Sequence, residues 1–397
     1  MRRWLLLSLA LLLAAPAEAL VFVSGDGLGN TSPPPDDPGW NYVGRVGGLN
    51  GIYLGNGWVV TANHVPTAGT VFQGVAYPAV PGSDVQLQNP GPPPTTLADL
   101  KVFRIDPSPS LPLLRIRATT PPVPPTITNV TLIAGGALRG AATSWMGHDG
   151  FFWGTTTGMH WGTNRVAAVG LAAGNSTFST DFTKLSMGGT THEAQGATGD
   201  SGGAAFIKNG STWELAGVLW AVGPYPGQPD STALYGNLTY SLDLAVYRPQ
   251  LISLTRPQCA NEIDDDGDSL VDWPADPGCT SELDDTELPD QDQDGVGDSE
   301  DNCLVVANTD QQDSNLDGYG NLCDADFDND GGVGVADFGA FKQAFATSLG
   351  SPGYDPDIDL DSDGGIGMFD YGLFRFMFDL PVGPSGLACA GTPPCPL

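Results

Sequence analysis

Apolar residues in this chain come in short bursts separated by glycine, proline and small polar residues. Most bursts have the length and alternation of strands rather than the period of helices. The run 57–65 (Gly-Trp-Val-Val-Thr-Ala-Asn-His-Val) predicts a buried strand that ends in a small-residue turn carrying His64. Asp99 opens a second strand, within 98–105, where apolar and basic positions alternate. Val130–Ala134, Arg165–Val169, Ala204–Lys208 and Glu214–Leu219 predict further strands, and the Pro-rich stretches 31–40, 88–96 and 118–126 predict loops. Many short strands with Gly/Pro turns predict an all-β, barrel-like architecture. Helical spacing is found late: Phe338, Phe341 and Phe345 recur as Tyr371, Phe374 and Phe378 at the same offsets behind two acidic loops. Those stripes predict two helices packed against each other.

The amino terminus sets the expected compartment. A basic start (Met1, Arg2, Arg3), an apolar run from Trp4 to Leu13 and the small-x-small triplet Ala17-Glu18-Ala19 predict a secretory signal peptide, removed before Leu20. The run is too short to span a membrane, and no other stretch approaches ~18 continuous apolar residues, so no membrane span is expected in the mature, secreted chain. Cysteine usage agrees with export. All six cysteines lie at or after Cys259, in nearby pairs, and the expected bridges are 259–279, 303–323 and 389–395. The preceding segment of about 235 residues is long enough to bury a core without disulfides.

Charge divides the chain. Of 46 acidic residues 32 follow Arg256, where the only basic residues are Lys342 and Arg375, so most of the net charge of −31 sits in the last third. No nucleic-acid partner is expected of so acidic a chain. A solvated acidic tail is the plain alternative, but alternate aspartates with a glycine at the turn are what a loop needs to wrap a calcium ion in oxygen ligands. One such loop holds Asp264, Asp266, Asp268 and Asp272 between Cys259 and Cys279. A second holds Asp290, Asp292, Asp294, Asp298 and Asp301, and a third holds Asp313, Asn315, Asp317, Asn321 and Asp324. A duplicated unit follows, 33 residues apart: Asp326, Asp328, Asp330 and Asp337, then Asp359, Asp361, Asp363 and Asp370. Calcium is expected as a structural ion here, and no cofactor is expected for catalysis. The predicted domains are a signal peptide (1–19), a folded catalytic domain (20–256), calcium repeats (257–324), a paired loop-helix module (325–381) and a tail (382–397).

The candidate chemistry lies in the disulfide-free part. Gly199-Asp200-Ser201-Gly202-Gly203 sets a serine among glycines that allow a sharp turn and leave N–H groups free to face a reacting oxygen. A serine hydroxyl needs a base to become a nucleophile at neutral pH, and His64 suits that role. Asp99 would orient the imidazole; Asp84 and Asp106 are its rivals. The order His64, Asp99, Ser201 differs from that of α/β-hydrolases.

These blocks resemble those of chymotrypsin/trypsin-like serine peptidases of bacterial type, over about residues 40 to 250. Thr61-Ala62-Asn63-His64, Asp99-Leu100-Lys101-Val102, Gly199 to Gly203 and Ala216-Gly217-Val218-Leu219-Trp220 carry the resemblance. It implies two six-stranded β-barrels, an oxyanion hole made by the N–H groups of Gly199 and Ser201, and protein or peptide substrates. It also implies a primary pocket with Gln195 at its base and Gly196, Trp220, Ala221 and Gly223 in its walls. No carboxylate stands at that base, so a neutral side chain is the expected preference. In the resembled family the aspartate matching Asp200 pairs with a buried N-terminal amine. Arg45-Val46-Gly47-Gly48 looks like an activation site, but Val46 lies too close before His64 for the intervening strands, so Asp200 is expected to find another donor. The loops from 264 to 324 resemble thrombospondin type 3 calcium repeats, and 325–380 resembles a type I dockerin with EF-hand-like loops. The latter implies a cohesin-like or other surface protein as partner, although Val335-Ala336 and Met368-Phe369 stand where dockerins often carry Ser or Thr. The expected function is a secreted serine endopeptidase. A catalytically silent adhesion or scaffold protein and an esterase are the alternatives.

Overall fold

The computed structural model describes residues 20–92, 95–266, 269–276 and 278–395. The expected signal peptide, 1–19, lies outside the described residues. Two compact units meet in sequence between Arg256 and Pro257.

The regular structure of the first unit is mostly strand. In chain order it holds β1 (Val21–Phe22), β2 (Val43–Val46), β3 (Leu49–Gly55), β4 (Trp58–Ala62), β5 (Thr70–Phe72), β6 (Val75–Tyr77), β7 (Val85–Gln88) and β8 (Leu97–Arg104). These are followed by β9 (Asn129–Trp145), β10 (His148–Ala172), β11 (Asn175–Asp181), β12 (Ala194–Gln195), β13 (Ala204–Asn209), β14 (Thr212–Gly223), β15 (Thr232–Leu234), β16 (Leu238–Asp243) and the helix α1 (Leu244–Thr255). One sheet runs β6-β5-β2-β3-β4-β8-β7. It turns back on itself just past β6, where Ala79 bridges Ile105 and the Val80 N–H reaches the Arg104 carbonyl at 2.8 Å. The other runs β11-β16-β14-β13-β9-β10-β15, and a further β10–β11 pairing joins six of its strands in a ring, with β15 added outside.

Both sheets contribute to one core. Ile52, Leu54, Val60, Leu100 and Val102 meet Ile133, Phe206, Val218 and Leu242, with Tyr247 and Leu251 of α1 closing the side. Removing this apolar surface from water is what holds a disulfide-free unit together. The predicted strands at 130–134 and 165–169 are fragments of a much longer hairpin, β9 and β10, whose register slips between Phe151 and Trp153 and again before Thr157. Glycines and threonines without alternation fill its outer half, so the pattern there carried no strand signal. Helix α1 was not visible in the pattern either; Asp243 starts it by accepting the Ala245 N–H at 3.2 Å, and Pro249 interrupts its periodicity.

The second unit has little regular structure. Its helices are α2 (Val335–Ala344) and α3 (Met368–Met377). Phe341 and Phe374 are buried with ring centroids 5.4 Å apart, and Ile358, Leu360 and Ile366 pack around them. Phe338, Phe345 and Phe378 stand at the rim, each about 40% exposed. Bridges join Cys259 to Cys279, Cys303 to Cys323 and Cys389 to Cys395. Residues expected as a tail are docked: the Gly391 N–H binds the Asp317 carbonyl at 2.7 Å, and the Cys395 N–H binds the Leu316 carbonyl at 2.7 Å.

Candidate functional site

The end of β4 delivers His64 and the start of β8 delivers Asp99, because these two strands pair in register up to Ala62 and Leu100. The Asn63 N–H binds the Asp99 carbonyl at 3.0 Å and the His64 N–H binds Asp99 Oδ1 at 2.9 Å, so the turn is tied to the carboxylate before the ring is considered. His64 Nδ1 then lies 2.8 Å from Asp99 Oδ2. The Trp220 indole N–H donates to the same oxygen at 2.8 Å, and Asn175 Oδ1 accepts the Asp99 N–H at 2.8 Å. Burial pushes the Asp99 carboxyl up, but the hydrogen bonds from His64 and Trp220 and the His64 charge outweigh it, bringing its pKa to about 2. Asp99 is thus the carboxylate at the imidazole, and its rivals Asp84 and Asp106 make no hydrogen bond to it.

Ser201 comes from the loop between β12 and β13. Asp200 Oδ2 accepts the Ala197 N–H at 2.7 Å, and the Gly203 N–H binds the Asp200 carbonyl at 2.9 Å, so the loop closes on itself. Gly199 has φ +104°. Gly202 has φ +83°, and a Cβ there would fall 1.9 Å from the Asn50 carbonyl oxygen and 2.4 Å from Thr61 Oγ1. Only glycine allows the loop to press this closely on β3 and β4. Asp200, Gly202 and Gly203 all donate their N–H groups within the protein. Among the described residues, the N–H groups of Gly199 and Ser201 donate to nothing. Ser201 Oγ makes no hydrogen bond to the His64 ring.

Asn50, fully buried on β3, joins the serine loop to the sheet that carries His64. Its N–H reaches the Ser201 carbonyl at 3.0 Å, and its side-chain Nδ2 donates to the Gly199 carbonyl at 2.9 Å and the Ser201 carbonyl at 3.3 Å. Its Oδ1 accepts from the Gly135 N–H at 2.7 Å and from Arg45 Nη1 at 3.1 Å. Arg45, on β2, also donates to the carbonyls of Gly135 and Gly48. Burial pulls the Arg45 guanidinium down and the charge of Asp200 pushes it back up. The buried Asp200 therefore has a cation in its field. Sequence reasoning missed Asn50 and Asn175, which belong to no motif. It singled out Arg45 as part of an activation-like motif and Trp220 as a pocket wall, and the bonds of Arg45 to Asn50 and of Trp220 to Asp99 were not legible in those motifs.

A cavity of about 300 Å³ opens beside Ser201, lined by Gly196, Thr198, Trp220, Ala221 and Val222 among others. Its one carboxylate, Asp200, is turned into the loop. Gln195 lines a neighbouring cavity of about 390 Å³, together with Gly196 and the exposed Asp230. Gln195 is 2% exposed; its Nε2 donates to the Leu238 carbonyl at 2.9 Å and its Oε1 has no partner. Gly223, at the end of β14, lines neither cavity.

In the second unit, carboxylate oxygens of Asp290, Asp292 and Asp294 lie within 4.8 Å of one another, as do those of Asp326, Asp328 and Asp330, and those of Asp359, Asp361 and Asp370. Three buried oxygens in these loops have no hydrogen-bond partner: Asp292 Oδ2, Asp301 Oδ2 and Asp359 Oδ1. Hard, anionic oxygens left unpaired in this way fit a calcium ion. Asp298 instead accepts the Gln291 N–H at 2.8 Å, and Asp337 receives the N–H groups of Asp328 and Gly334. Asp363 accepts the Gly365 N–H at 2.8 Å and stands outside its cluster. In the third loop, Asn321 is spent on Ser314 and the Pro356 carbonyl. Burial and the charges of Asp317 and Asp357 hold Asp324 up at about 8, while burial and Asp355 push Asp357, unnoticed in the sequence, up to about 7. Asp313 and Asp317 add to this field, and Asn315 touches Asp357 at 3.4 Å. Asp272 accepts the N–H groups of Asn261 and Glu262, and Asp268 lies outside the described residues.

No family model matches the chain, and no curated protein matches it. Solved structures that resemble it include neuropsin, a serine protease expressed in the limbic system of mouse brain, at 14% identity and TM-score 0.36, covering 54% of this chain and 95% of that one. A mutant of human heparin binding protein (CAP37) has 13% identity and TM-score 0.38, covering 55% and 92%. Kallikrein-related peptidase 10 in complex with Zn2+ has 14% identity and TM-score 0.35, covering 57% and 99%.

Proposed function

We propose that this protein is a secreted serine endopeptidase of chymotrypsin-like, two-barrel architecture with calcium-stabilised C-terminal modules. One observation carries the proposal: Trp220, which holds Asp99 of the hydrogen-bonded His64–Asp99 pair, also lines the cavity beside Ser201, whose N–H group and that of Gly199 are unspent. Ser201 Oγ attacks the substrate carbonyl carbon while His64 takes its proton. The carbonyl oxygen becomes an oxyanion held by those two N–H groups, each worth about 3–4 kcal/mol of barrier. His64 passes its proton to the leaving amine, and water then repeats the sequence on the acyl-enzyme. Asp99 keeps Nδ1 of His64 protonated and balances the imidazolium. The contact between Ser201 and His64 forms in the substrate complex, as is common for catalytic hydrogen bonds that are long in free enzymes. Apart from the inward-turned Asp200, the walls beside Ser201 are uncharged, which supports a neutral side chain at the cleaved bond.

The N-terminal pattern and three disulfides support secretion. In the second unit, calcium would be held by the aspartates of the clusters above, supplying charge balance where the chain offers just Lys342 and Arg375. Exposed Val335, Met368 and Phe369 at the starts of α2 and α3 support attachment to a surface protein. The missing Ser201–His64 bond is the single observation favouring a catalytically silent scaffold. Fluorophosphonate labelling of the mature protein decides: labelling lost in Ser201→Ala supports an enzyme, and no labelling of the wild type rejects it. Casein hydrolysis separates peptidase from esterase. For calcium, a chelator should change the circular dichroism of the chain, and an unchanged spectrum would reject that part.

A further inference from the structure

The strand β1 meets the segment that leads into the serine loop. Val21 and Phe22 pair antiparallel with Gln195 and Ala194 of β12, and the Val23 N–H extends the pairing to the Glu193 carbonyl at 2.9 Å. Among the described residues, β12 has no other strand in its sheet. Leu20 and Val21 are 0% exposed and Phe22 is 1% exposed. Val21 belongs to an apolar cluster with Phe182, Ala197 and Trp153. Ala197 is a wall of the cavity beside Ser201, and Trp153 is a wall of the neighbouring cavity that Gln195 lines. The serine loop also closes through Ala197: its N–H binds Asp200 Oδ2 at 2.7 Å, and its carbonyl accepts the Asp200 N–H at 3.1 Å. Arg139, on β9, fixes the β1 segment in turn. Its Nη1 donates to the carbonyls of Phe22 at 3.3 Å and Val23 at 2.7 Å, and its Nη2 donates to that of Gly25 at 2.7 Å. The same guanidinium lies over the Phe151 ring, 4.6 Å from its centroid.

We propose that β1 is a positioning element of the catalytic site, with Val21 and Arg139 as its positioning residues. It fixes residues 193–197 and, through Ala197, the Gly199 and Ser201 N–H groups that receive the oxyanion. This rests on the serine-peptidase reading and deepens it, because β1 lies outside the stretch from 40 to 250 that carries the family resemblance. Val21 acts by filling the cluster that Ala197 and Trp153 share, and a close-packed interior passes on the displacement that a void there would cause. Arg139 acts by holding three carbonyls in one planar fork, which the point charge of a lysine does not reproduce. A shift of Ala197 carries Asp200 with it, and Asp200 stands between the two donors. Such a site tolerates little movement, for a misplacement of about 1 Å can cost on the order of 100-fold in rate.

The test is steady-state hydrolysis of a peptide with a neutral side chain at the cleaved bond, with the rate of fluorophosphonate labelling as a second readout, both on the full mature chain. Val21→Ala is expected to lower kcat and the labelling rate roughly tenfold and to raise KM, since a cavity wall moves together with the loop. Leu251→Ala truncates an equally buried side chain on α1. It should lower the melting temperature at least as far, yet leave kcat, KM and labelling within about twofold of wild type. Arg139→Gln should act in the same direction as Val21→Ala, and Arg139→Lys, which keeps a donor, should recover part of the loss. All are measured well below their melting temperatures, and an unchanged circular dichroism spectrum shows that a variant is folded. A folded Val21→Ala with constants within about twofold of wild type, or a matching loss in Leu251→Ala, overturns the inference alone. Where Val21→Ala does not fold, Arg139→Gln decides by the same criterion, and no recovery in Arg139→Lys overturns the role of Arg139. A wild-type chain that neither labels nor cleaves the peptide overturns the inference together with the peptidase reading.

Discussion

Replacing Asn50 by alanine should cost this protein both stability and turnover, in amounts that follow from its bonds. The substitution removes the amide that joins the serine loop to β3. The Ser201 carbonyl keeps its bond from the residue-50 N–H, and Arg45 keeps the carbonyls of Gly135 and Gly48. Two groups lose their partner: the Gly135 N–H and the Gly199 carbonyl. A buried polar group left unsatisfied costs about 1–3 kcal/mol, so the loss of both partners costs about 2–6 kcal/mol. The Gly199 carbonyl belongs to the loop that aims the two N–H donors, and a freed loop displaces them without deleting them. Turnover should fall roughly 10- to 100-fold, less than the full loss of a donor. KM should change little, because no wall of the cavity beside Ser201 is altered. The assay is steady-state hydrolysis of a peptide substrate with a neutral side chain at the cleaved bond, run well below the melting temperature of each variant. A folded Asn50→Ala enzyme with turnover within twofold of wild type would refute the argument, since Asn50 would then be core packing without a role in aiming the loop.

Asp99 titrates at about 2, below the 3.8 of a free side chain. Its contribution of about 2 kcal/mol is therefore fully present above about pH 4 and lost as the pH falls towards 2. Chemical denaturation of wild type and Asp99→Asn should differ by that amount at pH 5 and converge near pH 2; an equal gap at both would contradict it. Arg45 is paired in β2 with Asn50 on one side and Val71 on the other, so cleavage after it is not expected. Active enzyme should begin upstream of Val46 by N-terminal sequencing, and Arg45→Gln should lower stability by roughly 2 kcal/mol or more by leaving Asp200 without its cation; activity that arises after cleavage at Arg45 would overturn this.

Local signals were enough for some of this protein. Strand-like bursts, the glycines around Ser201, the turn after Thr61 and the clustering of cysteines are properties of neighbouring residues, and they are legible in one dimension. Trp58–Ala62 is a strand because its apolar run can be buried on both sides. Gly202 is glycine because the loop touches β3 and β4, though the motif alone could not say what it touched. The long β9–β10 hairpin and α1 were not legible, for their residues follow no simple period and are ordered by what they pack on. The same holds for the groups that set the site. Asn50 lies 151 positions from Ser201 along the chain, Trp220 lies 121 from Asp99, and Arg139 lies 117 from Phe22. A hydrogen bond or a shared ion depends on distance in space, and spacing along a chain sets that distance only within a turn or a strand. Residue type and local order were thus determined by the sequence read alone, whereas partnership, burial and the surrounding charge were decided by the folding of strands against one another.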